Sequence, residues 1–156
     1  LRSRAQSGKE ALPTTSKERP VDVQEIKQLD AYLKKLFGNA LIRVVPKTAD
    51  SAEIFIGEDD AGELTVDDEE GERSYNFRMV IQLGQDPSIQ PVPALNAYLR
   101  RKFDNENLRV VTRPKKMDSL ELYMGEEFIG VLFVENEKGR RSYILELPIL
   151  DVDLVD

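Results

Sequence analysis

Read along the chain, the spacing of apolar residues changes period twice and does so in the same way each time. Ile26, Leu29, Leu33, Leu36, Phe37 and Ala40 recur at intervals of three and four, which puts them on one stripe of a helix. Pro20 and Asp22 precede this run, Asp22 and Glu25 have the spacing of a capping box, and Lys34 and Lys35 sit toward the negative end of the helix dipole. From there the period falls to two, in short runs rich in β-branched and aromatic residues, which predicts strands over 42–46, 51–56, 61–67 and 73–83. Leu95, Tyr98, Leu99 and Phe103 then form a second helical stripe behind Pro91 and Pro93. Strands over 108–112, 119–124, 128–134 and 141–149 follow it.

The second series is a diverged copy of the first. Leu29–Ile81 aligns with Leu95–Ile149 once two extra residues are allowed near Thr112 and Arg113. LDAYLKKLF faces LNAYLRRKF, DSAEIFIGE faces DSLELYMGE, and RVV and RSY recur in both. Gly57 with Glu58 and Gly125 with Glu126 read as tight hairpin turns, and the acidic loops around Gly71 and Gly139 close the next hairpins. The expected fold is α+β, two tandem repeats, each one helix packed on a four-stranded antiparallel meander. Residues 21–86 form repeat 1 and 87–156 repeat 2, with 84–93 as the linker. Residues 1–20 lack periodicity and are expected to be a disordered tail.

RPKK at Arg113, DSLELYMGEEFIGVLF from Asp118, ILDVDL from Ile149 and SYNFRM from Ser74 resemble a family of small alphaproteobacterial proteins of unknown function about one repeat long. The resemblance covers residues 21–156 as two units and implies a bacterial protein. It implies no catalytic residue. Repeat 1 departs from the pattern at GEDDAGELT, and repeat 2 has SYIL in place of SYNF.

Composition narrows the chemistry. The chain has no cysteine and no histidine, which removes thiolate sites, the commonest general base and the commonest zinc ligand. A non-enzymatic role is expected, with no catalytic, cofactor or metal residue assigned. No apolar run approaches the length of a membrane span and the first 20 residues lack a signal-peptide core, so a cytoplasmic protein is expected. Net charge is −7, distributed as +3 over residues 1–20, −8 over 21–86 and −2 over 87–156. That balance disfavours nucleic acid for repeat 1.

Strand alternation then separates the two repeats. Tyr75, Phe77, Met79, Ile81 and Leu83 point one way and Asn76, Arg78 and Gln82 the other, with Glu53, Phe55, Glu63 and Thr65 sharing the wet face. At the aligned positions repeat 2 has Glu121, Tyr123, Val131 and Phe133, with Ile144 for Asn76 and Ile129 for Ala61. An apolar outer face over Tyr123, Ile129, Val131, Phe133 and Ile144 is expected to need a cover. Either another part of this chain or a second molecule buries it, or it docks an unidentified protein partner, by face packing or by strand addition. An acidic chaperone-like protein holding unfolded segments is one alternative. Nucleic-acid binding through Arg100, Arg101, Lys102, Arg113, Lys115 and Lys116 is the other, although a solvated face explains those residues as well. The acidic run Asp67, Asp68, Glu69, Glu70, Gly71, Glu72 lacks the ligand spacing of a calcium loop and reads as a solvated turn. Glu53 and Glu121 recur without evidence of pairing.

Overall fold

The computed structural model describes residues 20–69, 71–84, 88–137 and 140–154; the expected tail, 1–20, lies outside them except for Pro20. Helix α1, Val23–Phe37, is followed by β1 Ile42–Thr48, β2 Ser51–Ile56, β3 Asp59–Glu69 and β4 Glu72–Gln82. Helix α2, Pro91–Phe103, is followed by β5 Leu108–Arg113, β6 Lys116–Met124, β7 Glu127–Glu137 and β8 Arg140–Leu150. A 3-10 turn over Asp151–Leu154 follows β8.

Each repeat is the expected helix and antiparallel meander, and the two meanders join. The strand order is β1-β2-β3-β4-β8-β7-β6-β5, a single antiparallel sheet of eight strands. At the seam β4 pairs with β8 along its length, from Ser74 opposite Leu150 to Gln82 opposite Ser142. Repeat alignment carries position 78 onto position 146, and Arg78 is the residue opposite Glu146. A local twofold therefore passes between these two side chains, as it would in a symmetric pair of single repeats. On a strict twofold that position would set like charge against like; here Arg78 Nε lies 3.9 Å from Glu146 Oε2.

The helices close over one face. Asp22 and Glu25 make the capping box, with Glu25 N–H donating to Asp22 Oδ1 at 2.8 Å and Asp22 N–H to Glu25 Oε1 at 3.1 Å. The helix ends at Phe37 on a left-handed Gly38, and α2 ends on a left-handed Asp104. Ala40 lies beyond the helix and is exposed, so it leaves the predicted stripe. Phe37 and Phe103 meet over the seam, stacked at 4.0 Å between ring centroids, and Phe77 of β4 meets both edge-on at 6.4 Å. Beside them the Asn39 amide donates to the Phe103 carbonyl (2.8 Å) and the Asn105 amide to the Phe37 carbonyl (2.7 Å). Each repeat thus satisfies a carbonyl left open at the end of the other's helix. The core continues through Leu29, Leu33, Leu64, Leu95, Leu99, Leu132 and Leu145, all buried.

Among the described residues, one polar cluster has no counterpart in repeat 2. Glu25, Arg73, Asp68 and Tyr75 are buried together. Arg73 pairs through its guanidinium with Glu25 and, at 2.6 Å, with Asp68, and the Tyr75 hydroxyl donates to Glu25 at 2.6 Å. Asp68 is therefore not part of a solvated turn. It supplies the second carboxylate to a buried arginine. Burial opposes the Glu25 charge, but the Tyr75 hydroxyl and Arg73 outweigh it and hold its pKa below the usual 4.5. Repeat 2 has Pro91, Asn136, Arg141 and Tyr143 at the aligned positions.

Candidate protein-binding face

Both helices lie on one side of the sheet, and among the described residues nothing covers the other. Alternation places Asn76, Arg78, Val80 and Gln82 of β4 on this outer side, next to Ser142, Ile144 and Glu146 of β8. Residue-by-residue pairing then lines up Val80, Ile144 and Phe133 as one row across three adjacent strands. Val80 is 50% exposed and Phe133 42%, while Ile144 between them is 4% exposed. The flanking residues bury the middle one and remain open themselves. Val131 lies one step along β7, opposite Glu146, and is half-buried. The row is rimmed by Arg78 and Glu146 on one side and by Gln82, Ser142 and Glu135 on the other.

Of the five residues expected on this face, Val131, Phe133 and Ile144 come together as the alternation requires. Tyr123 is on the face but apart from the row. It packs edge-on with Phe128 at 5.8 Å, lies under the Arg109 guanidinium at 4.9 Å, and donates its hydroxyl to Glu121 at 3.1 Å. That hydrogen bond to Glu121 holds its pKa above the usual phenol value. Ile129 is not on the face. A bulge between Leu122 and Tyr123 in the β6–β7 register shifts the phase, and Ile129 turns inward to join the core at 8% exposure. Ala61 does the same in repeat 1, where the register shifts between Ile54 and Phe55.

The bulge needs glycine. A Cβ on Gly130 would stand 2.8 Å from the Glu146 carbonyl oxygen, and one on Gly62 2.4 Å from that of Arg78. Gly62 also has φ +145, which side chains strongly disfavour. Both glycines thus let the third strand of a repeat approach the backbone of the seam strand at the local twofold.

Two residues of the open surface were missed. In the sequence pattern Val80 belongs to the first repeat's strand alone, and only the β4–β8 pairing sets it beside Ile144. Phe128 is 48% exposed because the same bulge puts it beside Tyr123.

The sheet edges are less accessible than the face. At β1 the Val44 N–H donates to Asp30 of α1 (3.1 Å), the Ile42 N–H donates to the Asn39 carbonyl, and Pro46, the next residue of the same parity, has no N–H. At β5 the Val110 N–H donates to Asn96 of α2 (2.7 Å), and the Leu108 carbonyl accepts from Arg100 (2.7 Å). Helix side chains blunt both edges, which favours contact through the face over strand addition.

The basic set does not assemble. Arg100 is bound to Leu108, Arg101 stacks over Tyr98 at 5.9 Å, and Lys102 donates to the Asp60 carbonyl. Arg113 bonds Ser119 and lies 3.7 Å from Glu121, leaving Lys115 and Lys116 exposed. Glu53 and Glu121 stand on β2 and β6, on opposite halves of the sheet, and do not pair. No cluster of metal-ligating side chains occurs among the described residues, and no helix among them is long and apolar enough to cross a membrane.

Comparison with known proteins agrees with the internal repeat. No curated protein and no solved structure matches the chain. The model of one protein family, DUF3126, described as a protein of unknown function, matches twice, over residues 25–85 and 92–153. Each match spans one helix and the four strands after it. The chain belongs to the DUF3126 family and carries its domain twice, in tandem.

Proposed function

We propose that this protein is a non-enzymatic interaction module of the bacterial cytoplasm that binds another protein through the outer face of its sheet. The observation that carries this reading is the row Val80, Ile144 and Phe133: apolar, in register on three adjacent strands on the side away from both helices, with Val80 and Phe133 open to solvent on either side of a buried Ile144. A row of this size suits one or two apolar anchor side chains inside a polar rim, which is how binding energy concentrates at protein interfaces. The partner is a basic one. The two repeats carry net charges of −8 and −2, so a second copy is repelled where a cationic protein is attracted.

The twofold supplies an internal control. Position 133 of repeat 2 corresponds to position 65 of repeat 1, which holds an exposed threonine on the same face. Capture from lysate is compared for the wild type, Phe133→Glu and Thr65→Glu, with folding checked by circular dichroism. A defined set of proteins retained by the wild type and Thr65→Glu, and lost with Phe133→Glu, supports the reading. Equal retention by all three folded proteins sinks it.

A further inference from the structure

On the helix side, a cleft of about 390 Å³ runs between α1, the turn joining β6 to β7, and the C-terminal 3-10 turn. Its apolar lining comes from Leu36, Met124 and Leu154, and its polar lining includes Tyr32, Glu127 and Asp153. Burial and, after it, the negative charges of Asp153 and Glu127 raise the pKa of the Tyr32 phenol, and the two carboxylates lining the cleft are what attracts a cation to it. Lys35 also lines it and is exposed, and its ammonium makes no hydrogen bond or ion pair among the described residues.

The local twofold supplies a comparison within the same molecule. It relates Tyr32 to Tyr98, Leu36 to Lys102, Met124 to Ile56, Glu127 to Asp59 and Phe128 to Asp60. At the related place Lys102 of α2 reaches the β2–β3 turn and donates from Nζ to the Asp60 carbonyl at 3.2 Å. There the chain's own aliphatic ammonium reaches from the helix to the strand turn. At position 36 the side chain is leucine, which is shorter and uncharged, and the cleft stays open.

We propose that this cleft receives a lysine side chain from a partner protein, its stem on Leu36, Met124 and Leu154 and its ammonium at Glu127, Asp153 and the Tyr32 hydroxyl. At the related place Lys102 likewise sets an ammonium against the strand turn, there on a backbone carbonyl. A long cationic side chain buries its methylenes on apolar surface while its head stays paired, and the overall negative charge of the protein steers such a partner toward it. The site lies on the opposite side of the sheet from the Val80, Ile144 and Phe133 row, so each stands or fails without the other.

The Met124 methyl group is the natural reporter, because the chain has only three methionines and Met79 is buried in the core. With methyl-labelled full-length protein, a Gly-Lys-Gly peptide capped at both ends should shift the Met124 resonance saturably and leave Met79 in place. The same peptide with norleucine for lysine should not. Leu36→Lys should abolish the response by placing an intramolecular ammonium against the β6–β7 turn, as Lys102 does at the related turn, with an unmoved Met79 resonance showing that the fold survives. Glu127→Gln should weaken binding by about tenfold, the scale of one lost charge-assisted contact, and Phe133→Glu should leave it unchanged. No saturable shift, an equal response to the norleucine peptide, or an unaltered response in folded Leu36→Lys would each overturn the assignment.

Discussion

Phe37 and Phe103, the last residues of the two helices, lie stacked across the seam with their rings 10° from parallel. They are related by the repeat, so one position of the domain meets itself in the tandem chain. Flanking them, Asn39 and Asn105 exchange hydrogen bonds with each other's helix ends. The two copies are therefore joined in both layers, through the sheet at β4–β8 and through the helices above it.

This contact predicts a coupled energetic response. Phe37→Ala and Phe103→Ala should each cost about 3–5 kcal/mol, the usual range for a fully buried phenylalanine. The double variant should cost less than the sum by about 0.5–1.5 kcal/mol, because the second truncation removes a ring with no stacking partner left. Denaturant titration of the four proteins measures it, and strict additivity would show that the rings do not support one another.

The bulge glycines make a second prediction. Gly130→Ala should destabilise the protein by about 1–3 kcal/mol, since the new methyl group meets the Glu146 carbonyl and the seam must shift to admit it. Gly125→Ala is the control, because a Cβ there has nothing within 4 Å, although its φ of +62 carries its own smaller strain. Thermal melts should rank Gly130→Ala below Gly125→Ala.

Much of the architecture could be read from residues alone, because helix and strand periods are local and the second copy repeats the first. Asn76, Arg78, Glu53 and Thr65 were assigned to the outer face correctly by counting in twos. The same count puts Ile129 on the wrong side, since a bulge adds one residue and reverses the side chains after it until the register recovers. The seam was not legible: nothing near Val80 or Ile144 distinguishes a strand that ends its own meander from one that continues into another. Nor was the pairing of Glu25 with Arg73 and Tyr75, separated by 48 and 50 residues. Glu25 was recognised for its capping role, which is local, and its burial depends on contacts that are not.

That cluster gives a pH dependence with a definite sign. Glu25 has a lower pKa folded than unfolded, so in the window below the usual value of 4.5 the unfolded chain binds more protons there than the folded one. Its contribution is fully present above that value and is lost as pH falls through the depressed folded pKa. Stability measured by denaturant titration should therefore fall on acidification from neutral pH, and fall less steeply across that window in Glu25→Gln, which starts from a lower plateau. An identical slope in the two proteins would remove Glu25 from the acid response.

The account depends on the two domains sharing one sheet, and residue-resolved amide hydrogen exchange at increasing sub-denaturing urea probes that join directly. Hydrogen-bonded amides of β4 and β8 along the seam should exchange only through global opening, with one common free energy and urea dependence in both repeats. Fast exchange at the seam, or separate opening energies for the core amides of repeat 1 and repeat 2, would contradict a continuous eight-stranded sheet.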